Sequence, residues 1–103
     1  MSSEGLHAPR ERLTTETISM HQAIVSLMEE LEATDWYRPR ADDCENPELK
    51  QILLHNMREE IEHASMLLEW LRRNSEDFDK ELNEYLFRDG SIAGHEEKAT
   101  RQP

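Results

Sequence analysis

The sequence predicts an all-α protein: an antiparallel two-helix hairpin followed by a short third helix. Three observations predict it. Apolar residues recur at helical spacing in two long stretches, Met20, Ile24, Leu27, Met28 and Leu31 in the first and Leu49, Ile52, Leu53, Ala64, Leu67 and Leu71 in the second. No stretch alternates as a half-buried strand does, and no repeat of solenoid period is present. A proline-bearing connection, "DWYRPRADDCENP" at 35–47, separates the two periodic stretches.

Residues 1–12, "MSSEGLHAPRER", are polar and hold Gly5 and Pro9, so they are expected to be a flexible lead-in. A helical domain is expected over 13–88. Thr14 suits an N-cap and Glu16 suits a first turn, so helix 1 begins there. Nothing interrupts it until Pro39, where the periodicity breaks and the connection is expected to start. Asn46-Pro47-Glu48 is a helix start, with asparagine at the cap and proline at the first helical position. Helix 2 then runs to about Arg73. Ser75 caps a third helix in which Phe78, Leu82 and Tyr85 recur at i, i+4 and i+7. The segment 89–103, "DGSIAGHEEKATRQP", is expected to be a disordered tail.

Each long helix spans roughly 24–27 residues, or about 35–40 Å at 1.5 Å per residue. Two such helices cover only one side of each other's apolar stripe. The stripes are wide, because Ile18 and Val25 flank the first and Ile61, Leu68 and Trp70 flank the second. The hairpin is half of a four-helix bundle, and dimerisation is expected to complete it.

Composition narrows the function. The chain has 103 residues, 36% hydrophobic and 34% charged, a thin core for a lone monomer. Its formal charge of −11 argues against nucleic acid and suits cations. Its one cysteine, Cys44, forms no internal disulfide, which fits a cytoplasmic location, and it lacks a pattern for a catalytic thiol. No apolar run approaches the roughly 20 residues of a membrane span, and no secretory signal is evident.

The second helix carries a polar pair inside its apolar stripe. Glu60-x-x-His63 places two ligand groups one turn apart on the face of Ala64, Leu67 and Leu71, where Asn56 also lies. Burying either group unpaired costs several kcal/mol, and a bound cation removes that cost. Glu30 offers a carboxylate from the flank of the helix 1 stripe, while Glu29 and Glu32 point more outward. Alone, Glu-x-x-His is a common helical pattern. Here it sits among core residues opposite a glutamate-rich helix. Di-iron carboxylate bundles use two Glu-x-x-His helices and two single-Glu helices. This chain supplies one of each, and a symmetric dimer would supply the rest.

The sequence resembles the encapsulated ferritins, ferritin-like proteins packaged inside encapsulin nanocompartments. The residues that carry the resemblance are "VSLMEELEATDWY" (25–37), "LLHNMREEIEHASMLLEWLRR" (53–73) and "YLF" (85–87), in order and spacing. The resemblance implies a ferritin-like domain whose ferroxidase ligands are Glu30, Glu60 and His63. It implies an iron access site at Glu29 and Glu32, a gating Trp36 and an aromatic Tyr37 near the centre. It further implies two iron ions per dimer interface, a ring-shaped decamer built as a pentamer of dimers, and an encapsulin shell as partner. The implied activity is oxidation of Fe(II) by O2, supplying iron for storage inside the shell. The family's C-terminal targeting peptide is not evident in "HEEKATRQP".

The alternative reading is a non-catalytic acidic helical module that oligomerises. A di-iron O2 carrier fits less well, since haemerythrin-type sites are richer in histidine. Other features read as structural. His55, Glu59 and Glu62 form an outward stripe, better explained as a solvated face than as a secondary metal site. Met20, Met28, Met57 and Met66 suit packing, as does Trp70, and His21 suits a core or interface position.

Overall fold

The computed structural model describes the backbone of residues 5–100 and the side chains of residues 5–96. A 3₁₀ turn at Arg10–Arg12 leads into four helices: α1 (Thr15–Asp43), α2 (Pro47–Asn74), α3 (Glu76–Tyr85) and α4 (Ile92–Thr100). No strand occurs among the described residues. Residues 1–4 of the expected lead-in and 101–103 of the expected tail lie outside the described residues.

The helix starts follow from capping chemistry. The Thr14 hydroxyl accepts from the Thr17 N–H at 3.1 Å, and the Asn46 Oδ1 accepts from the Leu49 N–H at 2.9 Å. The Ser75 hydroxyl accepts from the Phe78 N–H at 3.2 Å. Each satisfies an amide that the helix itself cannot.

Two expectations are corrected. Helix α1 does not stop at Pro39 but continues to Asp43. Proline removes one amide hydrogen bond, the one to the Asp35 carbonyl, and here both residues are exposed, so that carbonyl faces water. The turn beyond is held by packing, since Ala41 is fully buried. The expected tail also contains a helix, α4. The Ser91 hydroxyl accepts from the Gly94 N–H at 2.9 Å and so caps it. Gly90, with φ of +88°, makes the left-handed turn before it. The His95 ring then meets Tyr85 edge-on at 5.4 Å, and its Nε2 lies 3.3 Å from Glu84 Oε2.

Only three residues separate α1 from α2, so the two long helices pack as an antiparallel hairpin. The core is small: among the described residues, Ala23, Ala41, Ala64 and Leu71 are the buried apolar ones. Alanine at three of these four places lets the helix backbones approach closely. Arg72 ties α2 to α3, gripping Glu69 through two bonds of 2.8 Å and Asp79 through one of 2.6 Å.

Much apolar surface has no cover within the chain. Met28, Leu31, Leu49, Ile52, Ile61, Met66 and Trp70 are all exposed. The accessible area is 8379 Å², whereas a compact monomer of this mass exposes about 6,100 Å². The radius of gyration is 17.9 Å, against about 13 Å for a compact domain of 100 residues.

Candidate metal centre

The hairpin brings Glu30 of α1 beside Glu60 and His63 of α2. His63 Nδ1 lies 3.5 Å from Glu30 Oε2 and 3.7 Å from Glu60 Oε2. One ligand atom from each of the three falls within 4.8 Å of the others. Glu60 and His63 meet because they are one helical turn apart. Glu30 joins them only through the register of the hairpin. Its own backbone is fixed locally, where the Thr34 hydroxyl donates to the Glu30 carbonyl at 2.8 Å.

Burial is partial. The Glu30 and Glu60 side chains are 24% and 25% exposed and His63 is 43% exposed. Within one chain the pair is therefore not at the centre of a covered stripe, as the periodicity alone implies. His63 lies at its edge, about 60° around the helix from Glu60.

The electrostatics suit a cation. Glu30 Oε2 is shielded from solvent and accepts no hydrogen bond; His63 Nδ1 stands too far away to donate well. The Glu30 pKa is raised. The largest cause is the neighbouring Glu60 carboxyl, followed by burial, while His63 pulls the other way. A divalent cation between the two carboxylates would relieve their repulsion and give the unpartnered oxygen a partner. Oxygen donors with one imidazole suit a first-row transition ion, so the residues present fit iron.

The other expected site residues are not drawn into this group. Glu29 and Glu32 are exposed, and neither belongs to a cluster of three ligands among the described residues of one chain. Trp36 is exposed and Tyr37 half-buried. The Arg40 guanidinium lies 5.8 Å from the Trp36 ring centroid and 5.6 Å from that of Tyr37, a cation–π contact that sequence reasoning overlooked. Its signal was available in the i+4 and i+3 spacing from the two aromatic residues. A second group of ligand-type side chains lies beside it. Glu59, Glu62 and His63 form another group with ligand atoms within 4.8 Å of one another.

Residues 5–89 match the EncFtn-like family. The chain belongs to the EncFtn-like family. It is 54% identical over 95 residues to the encapsulated ferritin-like protein of Rhodospirillum rubrum, a match covering 92% of this chain and 68% of that one. It is 44% identical over 98 residues to the ferritin-like protein of Thermotoga maritima, covering 95% and 86%. Protein ne0167 of Nitrosomonas europaea, known from a crystal structure, superposes with a TM-score of 0.80 at 56% identity, covering 84% of this chain and 94% of that one. The EncFtn-like match ends at residue 89, just before α4, and spans all of the metal-ligand candidates.

Proposed function

We propose that the protein is a ferroxidase, oxidising Fe(II) to Fe(III) with O2 at a di-iron centre formed between two subunits. The observation that carries this is the Glu30–Glu60–His63 group, with its solvent-shielded, unpartnered carboxylate oxygen. One such group offers at most two carboxylates and one imidazole nitrogen facing them, too few for two iron ions. Two copies related by a twofold axis would supply four carboxylates and two imidazoles. The exposed apolar side chains of α1 and α2 support such a pairing, because they leave the hairpin with the surface of half a bundle.

In this reading Glu30 and Glu60 bind and bridge the iron substrate, and His63 supplies a nitrogen ligand. Carboxylate-rich ligation favours Fe(III) over Fe(II), the direction the reaction needs. Glu29 and Glu32 attract the incoming cation, and Trp36 restricts its approach. The dimers assemble further into a decameric ring. The name of the Rhodospirillum rubrum relative, encapsulated ferritin-like protein, supports delivery of the oxidised iron to storage inside an encapsulin shell.

The same exposed apolar surface also favours the plainer reading of an acidic oligomerisation module. Aerobic addition of Fe(II), followed by the absorbance of ferric species, separates the two. A ferroxidase exceeds buffer autoxidation and loses most of that excess in Glu60→Ala or His63→Ala. A rate equal to buffer refutes the enzyme.

A further inference from the structure

Helix α4 lies beyond residue 89, where the family match ends, and its hold on α3 is slight. Among its described side chains, residues 92–96, His95 alone is not exposed. The link from α3 turns through two left-handed residues, Phe87 at φ 60° and Gly90 at φ 88°. That bend returns His95 to α3. Its ring packs edge-on against Tyr85 at 5.4 Å, and its Nε2 lies 3.3 Å from Glu84 Oε2. The His95 side chain is 27% exposed, yet Nε2 is shielded from solvent and makes no hydrogen bond. A nitrogen beside a carboxylate, with no aligned hydrogen bond, is attracted to it mainly by charge. Only a protonated imidazole carries that charge.

We propose that His95 is a pH-sensitive latch: protonated, it holds α4 against α3 through Glu84 and Tyr85, and neutral, it lets α4 go. The latch is independent of the ferroxidase reading. The charges around the His95–Tyr85 contact favour the protonated form. Glu81 and Glu84 come from α3, Asp89 from the link and Glu96 from α4 itself. The cations there are Lys80 and Arg88, and the Arg88 guanidinium is 3.8 Å from the same Glu84 oxygen. Carboxylates therefore outnumber cations. Tyr85 registers the same field: burial raises its phenol pKa most, and the charges of Glu96, Glu81 and Glu84 push the same way. Deprotonation leaves either a lone pair or a poorly aligned N–H facing Glu84. Docking thus takes up a proton, so acid favours it. It weakens as pH rises through the imidazole range, roughly pH 5 to 8. A helix of 9 residues is marginal alone, so release also frees α4 to unwind.

Hydrogen–deuterium exchange of the full chain, read by mass spectrometry, tests the latch. Exchange over residues 92–100 is expressed as protection relative to an unstructured peptide of the same sequence, which removes the intrinsic effect of pH. In the wild type, protection should be about fivefold higher near pH 5.5 than near pH 8, the upper end for a partly exposed ion pair. His95→Gln keeps a polar side chain that does not titrate, so its α4 should stay at the lower protection at both pH values. Glu84→Gln keeps the ring contact with Tyr85 but removes the charge, and should flatten the response. Equal protection at the two pH values in the wild type overturns the latch. So does a pH response that survives in His95→Gln.

Discussion

Replacing Glu30 with glutamine should stabilise the metal-free protein at neutral pH and remove its stabilisation by divalent cations. The inner carboxylate oxygens lie within 4.8 Å of one another, and Glu30 Oε2 has no hydrogen-bond donor. Two unit charges at that separation repel by about 3–4 kcal/mol at an effective dielectric of about 20. The nearby His63 and the remaining exposure reduce this to roughly 1–2 kcal/mol. A glutamine amide removes one of the two charges and can donate an N–H to the Glu60 carboxylate. For a domain of this size, that gain corresponds to a rise in Tm of roughly 5–15 °C.

The pH dependence gives the sign. The folded state raises the Glu30 pKa, so it binds that proton more tightly than the unfolded chain does. Protonated Glu30 therefore contributes stability that is fully present below the ordinary carboxyl pKa. It is lost as pH rises through the raised folded value. The advantage of Glu30→Gln should be absent in acid and grow towards neutral pH. Cation should have the reverse effect, adding about 2.7 kcal/mol to the wild type at 100 times its dissociation constant and little to the variant. Thermal melts by circular dichroism, at fixed protein concentration from pH 4 to 8 and with EDTA or Co(II), test both arms. A Glu30→Gln variant that melts lower than wild type at neutral pH in EDTA would refute the strained-ligand account.

Leu71→Ala truncates the largest fully buried side chain among the described residues, 0% exposed, and should cost about 2–5 kcal/mol in denaturant titration. Glu69 is held down to about 2 by its hydrogen bonds with Arg72 and then Arg73. Its contribution is present above the ordinary carboxyl pKa and lost as pH falls through about 2, so Glu69→Gln should flatten the acid limb of the stability profile; an unchanged limb would mean the α2–α3 corner is not anchored there. Glu29→Ala/Glu32→Ala should slow iron uptake while the inner site still binds metal in soaked crystals, because both side chains are exposed and outside the inner group.

The local parts of this protein were legible in its sequence. Thr14, Asn46 and Ser75 mark three helix starts because a cap acts on an amide three residues away, within reach of a single side chain. Glu60 and His63 meet for the same reason, since one turn of helix suffices to bring them together. Where packing intervenes, local signals misled. Pro39 reads as a stop, yet α1 passes through it to Asp43; the proline is exposed, and the turn beyond it buries Ala41. The tail reads as disordered, yet α4 forms where Ser91 caps it and His95 settles against Tyr85. The partnership of Glu30 with His63 belongs to the tertiary structure. More than thirty residues separate Glu30 from His63. Their contact depends on the register in which α1 and α2 pack around Ala23, Ala64 and Leu71, and that register is set by the fit of two whole helix faces, which no short stretch of sequence contains.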